Sequence, residues 1–322
     1  MFRRVYIIFV LLLILPVCGL GQEEQTLPTV HPFRMGFLRS DEDQALGVNW
    51  YESLKKFLLD KAPVREELEK NHYSGISVLP ADGYRDMLQR MDVSEFDLAF
   101  CSSVIFVQQE GDYRPILQLR WDIFDSRRQG MTLRKGVIIT GAGSPLFKMD
   151  MQKQETIRDY VRSHPMAFVS AHNAVGYVYP RLSLWRKYGV FEPADYIFCG
   201  SSEEVVKYVV SGLVDIGACD RQTFETVLKR NCPQEPPENL AAILLETSPA
   251  PTSPIVIRSS LHPRKSKLGR VLKGALKVFY NNSKHSDVPR LTDSRDENFK
   301  NLREEIAAFQ SLTEKTPAPP DK

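Results

Sequence analysis

The spacing of apolar and polar residues predicts strands followed by helices along most of the chain, and residues 167–190 show this most clearly. There a short apolar run precedes a polar turn, and apolar residues then recur at helical spacing. Gly189 is placed to end the helix. Pro180 has no N–H group, so we expect the helix proper to begin one turn late, with Pro180 in its first turn.

The turn in this segment has the chemistry of an anion site. Asn173 is placed to cap the first free amides, and the missing side chain of Gly176 would let a ligand approach backbone N–H groups at the positive end of the helix dipole. The predicted ligand contacts here are Asn173, Ala174, Val175, Gly176 and Tyr177. The alternative is a plain connection between strand and helix that binds no ligand.

The amino-terminal part of the chain repeats the alternation of strand and helix. Strand patterns at 33–38, 76–79 and 96–100 are separated by helical patterns at 50–59 and 84–91. This βαβαβ order predicts a parallel sheet with right-handed crossovers. The carboxyl ends of its strands are therefore expected to lie together at one edge.

Polar and thiol side chains directly follow two of these strands. Ligands of open α/β sheets bind at the carboxyl ends of the strands. We therefore expect ligand contacts from Arg39, Ser40, Cys101, Ser102 and Ser103. The alternative for the two serines is that they only cap a helix predicted at 104–109.

The rest of the chain continues in the same way up to a polar, proline-rich tail. Further strands are predicted at 116–121, 136–140, 196–199, 214–218, 240–245 and 255–257, and further helices at 205–211 and 261–280. Ser201 begins a capping signature for the first of these helices, and Gly212 ends it. Residues 312–322 are too polar and proline-rich to fold, so we expect them to be disordered.

The 322 residues are enough for two compact lobes, and a composition of 43% hydrophobic and 25% charged residues is ordinary for a folded globular protein. The formal net charge is +2, with Lys and Arg dispersed among Asp and Glu, which argues against a nucleic-acid partner. The glycine-rich turn at 141–145 lacks both the Walker spacing and the dinucleotide fingerprint. No cofactor is therefore predicted.

The amino terminus has the pattern of an export signal. Arg3 and Arg4 precede an apolar run at 5–17, and small residues follow before Gln22, so residues 1–21 are predicted to be a cleaved signal peptide. One alternative is a single membrane anchor, although the apolar run is shorter than the ~20 residues that a span needs. Another is lipidation at Cys18.

Four cysteines remain after such processing, at positions 101, 199, 219 and 232. An exported compartment permits disulfides between them, and buried free thiols are the alternative, which we favour for Cys199 and Cys219. Their spacing fits no metal motif, so no metal site is predicted.

Several of these stretches, taken in order, resemble the phosphate, phosphite and phosphonate type of periplasmic substrate-binding proteins of ABC transporters. They are residues 96–100, the pattern of 171–180, and the pair 200–203 and 212–218. The resemblance implies a type II binding-protein fold, with two α/β lobes, each a mainly parallel sheet flanked by helices. Lobe 1 would comprise residues 30–132 and 253–311 and lobe 2 residues 133–252. Two strands would cross between the lobes as a hinge, at 133–140 and 246–254.

The chain departs from that family at its ligand contacts. Asn173, Ala174 and Val175 stand where phosphonate binders have a Ser-Thr-Ser-like run, and Ser202-Glu203 stands for His-Asp or His-Glu. Cys101 and Arg134 replace aromatic residues. Arg134 would supply a planar cation suited to an oxoanion, and Glu203 and Asp220 would tune which anions bind. The alternative is that Arg134 pairs with Glu203 or Asp220 as a bridge between the lobes and does not touch ligand.

The resemblance implies a monomeric exported receptor without enzymatic activity, acting in the periplasm. It would capture a small oxoanion or zwitterion and deliver it to the permease of an inner-membrane ABC transporter. A second hypothesis is that the same clamp reports its ligand to a membrane sensor kinase. A third is an enzyme that uses His172 with Ser170, or Cys101 with a histidine, but no third group that would orient such a pair is evident.

Overall fold

The computed structural model describes residues 30–39, 48–120, 132–148, 154–231, 234–282 and 290–315. The strands in those ranges are β1 His31–Leu38, β2 Tyr73–Ala81, β3 Leu98–Phe100, β4 Tyr113–Arg120, β5 Leu133–Gly141, β6 Pro165–Phe168, β7 Asp195–Phe198, β8 Ile216–Asp220, β9 Ala241–Pro251, β10 Pro254–Arg258 and β11 Arg290–Asp293. The helices are α1 Val48–Asp60, α2 Ala62–Lys70, α3 Tyr84–Asp92, α4 Ser103–Gln108, α5 Gln154–Ser163, α6 Tyr179–Tyr188, α7 Ser202–Val210, α8 Arg221–Asn231, α9 Lys267–Asn281 and α10 Lys300–Lys315. The predicted signal peptide, Cys18, Ser40 and Cys232 lie outside the described residues.

The strands form two sheets, and the first contains the predicted βαβαβ unit. Its strand order is β11-β4-β10-β3-β1-β2. β1 lies parallel to both β2 and β3, so the predicted parallel arrangement is confirmed. β10 runs antiparallel to β3 and β4, because the chain enters this strand from the opposite end of the sheet.

The second sheet has the order β7-β6-β8-β5-β9. β6 is parallel to β7 and β8, whereas β5 is antiparallel to β8 and β9. Each sheet therefore combines parallel strands from βα units with antiparallel strands at the side where the chain enters or leaves. This two-sheet α/β architecture is the fold class that the sequence predicts.

The two sheets are joined by neighbouring segments of chain. β5 and β9 pair along their length, and β9 is followed after Thr252 and Ser253 by β10 of the first sheet. Thr252 N–H donates to the carbonyl of Thr132 (2.9 Å), and Leu119 N–H donates to the carbonyl of Ser253 (3.1 Å). The predicted crossing segments at 133–140 and 246–254 thus lead into this junction between the sheets.

Helix α10 packs against elements beside both sheets. The ring of Phe299, just before α10, lies 4.9 Å from that of Phe106 in α4, and the ring of Phe309 lies 5.2 Å from that of Phe191. Leu312 also packs against the hydrophobic core that contains Phe106 and Phe299. The prediction that disorder begins at residue 312 is wrong for residues 312–315, because the apolar positions of α10 continue the helix to Lys315.

Among the described residues, Cys101, Cys199 and Cys219 are thiols and not halves of disulfides, as the alternative predicts. In the parts of the chain that the structure describes, no helix combines the length and apolar character that a membrane span requires.

Candidate functional site

The carboxyl ends of strands from the two sheets lie close together, and His172 makes contacts between them. This residue lies in the turn after β6. The hydroxyl of Ser102, in front of α4, donates to the carbonyl oxygen of His172 (3.4 Å). The ring of Tyr84, the first residue of α3, stacks on the imidazole with 5.3 Å between ring centroids and 12° between planes. The predicted ligand-binding edges of the two sheets therefore face each other.

The predicted anion seat is a π-helical turn, Ala174–Val178, directly before α6. The Asn173 side chain caps it by accepting the Gly176 N–H (2.7 Å), as predicted. Pro180 lies in the first turn of α6, and Gly189 ends the helix in the left-handed conformation, which confirms both predictions. Pro180 cannot donate to the carbonyl of Gly176, and that carbonyl instead accepts from Val169 N–H (3.2 Å).

Gly176 has a different role from the one predicted. A Cβ atom there would lie 2.3 Å from Cγ2 and 2.7 Å from Cβ of Val169. The glycine therefore lets the turn pack closely on the chain after β6, and its N–H is already bonded to Asn173. The expectation that its missing side chain opens a path for ligand is wrong, because that side of Gly176 faces Val169.

The amides that remain for an anion belong to Ala174, Val175 and Tyr177. The first hydrogen bond along this turn runs from the Val178 N–H to the carbonyl of Asn173 (3.2 Å), and the three amides come before Val178 in the chain. Amides in the first turn of a helix have no carbonyl partner within that helix. The amides of Ala174, Val175 and Tyr177 also lie at the positive end of the dipole of the helical segment formed by this turn and α6. The seat thus offers backbone donors, while the hydroxyl of Tyr177 already accepts a hydrogen bond from Arg181.

Arg134 pairs with Asp220 within the second sheet. The strands β5 and β8 are antiparallel with Gly136 opposite Asp220, which brings Arg134 beside the carboxylate. The guanidinium donates to Asp220, whose oxygen also accepts from the Thr223 N–H (2.9 Å) at the start of α8. The Asp220 side chain is buried, and that of Arg134 is 25% exposed. The predicted ion pair is present, but it does not bridge the lobes as that alternative assumed.

Ser202 and Glu203 differ in their surroundings. Ser202 is buried, and its hydroxyl accepts from the backbone N–H of Asp220 (3.1 Å). Glu203 lies at the surface, where its carboxylate bonds Arg230 (2.6 Å) and Lys207 (3.1 Å). The hydrogen bond from Lys207 lowers the pKa of Glu203. Because two cations already neutralise this carboxylate, we withdraw Glu203 from the proposed ligand contacts.

The residues after β1 and β3 are only partly suited to ligand contact. The Arg39 side chain is exposed and pairs with Asp82 at the neighbouring end of β2 (3.0 Å). Ser102 caps α4 by accepting the Ile105 N–H (3.2 Å), as the capping alternative predicts for this serine, whereas Ser103 is already the first residue of the helix. Cys101 and Ser103 are both buried. Of this group, Ser102 touches the opposite sheet through its hydrogen bond to the carbonyl of His172.

Sequence reasoning missed the side chains that support the seat. Arg181 is 2% exposed, and its guanidinium donates to the carbonyl of Phe191 (3.0 Å), the hydroxyl of Tyr177 and the carboxylate of Glu192. It also lies over the rings of Tyr177, Phe191 and Phe309. Burial raises the pKa of Tyr177 to about 12. No sequence pattern marks this cluster, because its members come from separate elements.

The sequence suggests His172 only as the partner of Ser170 in an enzyme. Burial lowers its pKa to about 4, so the ring is neutral at neutral pH. The contacts with Tyr84 and Ser102 described above give it a role between the sheets. Nothing in the local sequence indicates Tyr84 as its partner, since the two residues are 88 positions apart.

Comparison with known proteins agrees with this architecture. Residues 46–288 match the family model of the periplasmic substrate-binding protein of phosphonate ABC transporters. A Xanthomonas citri protein bound to chloride ion is similar in structure, with 19% identity, a TM-score of 0.62, and coverage of 89% of this chain and 99% of that one. A sequence search of curated proteins finds no match.

Two phosphonate-transport proteins are also similar in structure. The binding component of an ABC phosphonate transporter from Pseudomonas aeruginosa has 14% identity and a TM-score of 0.59, covering 90% of this chain and 89% of that one. PhnD1 from Prochlorococcus marinus, in complex with methylphosphonate, has 16% identity and a TM-score of 0.56, covering 87% and 98%. At these identities the similarity supports the shared fold.

Proposed function

The chain belongs to the periplasmic substrate-binding proteins of phosphonate ABC transporters, and from that premise we propose that its ligand is a small phosphonate-like oxoanion or zwitterion. The ligand would bind between the two sheets, in a clamp formed by lobes at residues 30–132 with 253–311 and at 133–252. The protein would then deliver it to the permease of the transporter.

The observation that carries this proposal is the set of backbone donors at the seat. Ala174, Val175 and Tyr177 present amides at a helix amino end, where an anion is stabilised by both hydrogen bonds and the helix dipole. The turn lies beside the contact between the sheets that His172 makes. An anion held there would be enclosed by elements of both sheets.

Arg134 and Asp220 would set the charge of the preferred ligand. The guanidinium is partly exposed and attracts an oxoanion, whereas the Asp220 carboxylate beside it repels additional negative charge. We therefore propose that a monoanion or a ligand with an amine binds more tightly than doubly charged inorganic phosphate.

We also propose that the site binds without catalysis. The Ser102 hydroxyl contacts the carbonyl of His172 rather than its ring, and the ring stacks on Tyr84. Cys101 is buried in the core. We propose that His172, which these contacts hold between the sheets, acts there as a structural residue and not as a base.

Calorimetric titration with methylphosphonate, 2-aminoethylphosphonate and inorganic phosphate tests this function. Charge-assisted hydrogen bonds contribute about 1.5 to 3 kcal/mol each, so Arg134→Gln should weaken binding at least about tenfold. Arg158→Gln, at an exposed pair with Asp159, is the matched control and should leave affinity unchanged.

The double variant Arg134→Gln with Asp220→Asn separates the two roles of the arginine. If Arg134 contacts ligand, neutralising Asp220 does not restore binding of methylphosphonate. Full recovery in the double variant would mean that Arg134 acts only by neutralising Asp220. Absence of binding to all three probes by the parent would contradict the proposed ligand class.

The transporter permease is the partner we propose, with the receptor acting as a periplasmic monomer after removal of residues 1–21. Light scattering of the exported protein tests the monomer, and mass spectrometry of its amino terminus tests both cleavage and lipidation at Cys18. A sensor kinase is the competing partner. Binding of the ligand-loaded protein to the permease, and not to a kinase ectodomain, distinguishes the two.

A further inference from the structure

Tyr84 is held in place by the helices beside the first sheet. It begins α3 directly after Gly83, whose φ of 97° places it in a conformation that favours glycine. Its hydroxyl donates to the side-chain oxygen of Gln108 at the end of α4. Burial, and secondarily the charge of Asp92, raise the pKa of Tyr84, so the hydroxyl stays protonated. The ring is therefore fixed with its face against His172.

A second contact also holds His172 against the elements of the first sheet. The Ser102 hydroxyl reaches its carbonyl, so both the ring and the backbone of His172 touch elements of the first sheet. The next residue in the chain is Asn173, which caps the seat. The stack of Tyr84 on His172 consequently lies one residue from the proposed anion site and spans the two sheets.

We propose that Tyr84 and His172 form a wall beside the seat that limits the size of the ligand's substituent. This inference rests on the proposed function, since it assumes an anion at the amides of Ala174, Val175 and Tyr177. A small substituent leaves the stack intact. A bulky one has to separate the two rings, and a lost aromatic contact corresponds to about two- to tenfold in affinity.

The neutral imidazole suits this role. Burial alone accounts for the lowered pKa of His172, which is about 4. The ring of Tyr84 stacks on the imidazole and is uncharged at neutral pH, and the Ser102 hydroxyl that reaches the carbonyl of His172 is uncharged as well. The wall is therefore an uncharged surface that repels neither an anion nor an apolar substituent and selects by size.

Calorimetry of the full mature chain with methylphosphonate and phenylphosphonate tests the wall. In the parent, phenylphosphonate should bind more weakly than methylphosphonate. Tyr84→Ala should reduce the ratio of the phenylphosphonate Kd to the methylphosphonate Kd about tenfold, because the volume that the tyrosine ring occupies becomes available to the phenyl group. Tyr84→Phe is the matched control: it keeps the ring, loses only the bond to Gln108, and should keep the parent ratio.

A Kd ratio that Tyr84→Ala leaves unchanged would overturn the wall, as would equal binding of both probes by the parent. If Tyr84→Ala does not fold, as judged by circular dichroism, Tyr84→Leu takes its place with the same expectation. Binding of neither probe by the parent contradicts the proposed ligand class itself. The failure of the wall is thereby distinguished from the failure of the function.

Discussion

Replacing Gly176 by alanine tests how the seat turn is built. The added Cβ would lie 2.3 Å from Cγ2 and 2.7 Å from Cβ of Val169, and 3.1 Å from Oδ1 of Asn173. Optimal carbon contacts are about 3.5–4.0 Å. Rotation of the valine side chain moves Cγ2 but not Cβ, so the backbone of the turn has to shift away from the chain after β6.

The expected loss of stability follows from those distances. Overpacking a core typically costs about 1–3 kcal/mol, and strain on the Asn173 cap adds about 1 kcal/mol. We therefore expect Gly176→Ala to lower the free energy of unfolding by about 2–4 kcal/mol, measured by urea denaturation. Gly143→Ala is the matched control, because no atom lies within 4 Å of a Cβ there. Its effect should stay within about 0.5 kcal/mol.

A double-mutant cycle identifies the source of the loss. Val169→Ala removes Cγ2, the nearest atom, so Gly176→Ala should cost less in that background, with a coupling of about 0.5–3 kcal/mol. The reasoning is refuted if Gly176→Ala is as stable as the parent, or if its cost is the same with Val169→Ala. Either result would mean that the turn does not pack on Val169.

Two further predictions concern the ionisable side chains of Arg181 and His172. Arg181→Met should lower the free energy of unfolding by about 3 kcal/mol in urea denaturation, because the hydrogen bonds of the buried guanidinium to Phe191, Tyr177 and Glu192 are all lost. Arg158→Met at the surface should have almost no effect. The folded state depresses the pKa of His172 to about 4 from its ordinary 6.5, so stability should fall as pH drops from 6.5 towards 4. That fall should be smaller in His172→Phe, measured by thermal unfolding at a series of pH values; equal slopes would contradict it.

The sequence predicts local structure well where one short segment decides it. Asn173 and Gly189 at the two ends of the seat and α6, and Ser201 in front of α7, act through backbone groups a few residues away. Their roles could therefore be inferred from spacing alone. The parallel pairs of β1 with β2 and β3 also follow from the alternation of strand and helix.

Contacts between distant segments could not be inferred in this way. The sequence suggests that Gly176 gives a ligand access to backbone amides. Its contact with Val169 cannot be inferred from the sequence, because it depends on how the chain folds back after β6. The sequence predicts that Glu203 tunes which anions bind, yet one of its partners, Arg230, lies one helix further along the chain. The stack of Tyr84 on His172 joins elements of different sheets. In each case the partner, rather than the residue itself, determines the role.

Native mass spectrometry of the exported protein, purified without added ligand, tests the central claim most directly. We predict one small molecule bound per chain, whose fragments include a phosphonate or phosphate group, and we predict that Arg134→Gln loses it while Arg158→Gln retains it. An uncharged or purely cationic molecule bound in its place would contradict the proposal that this site holds an oxoanion.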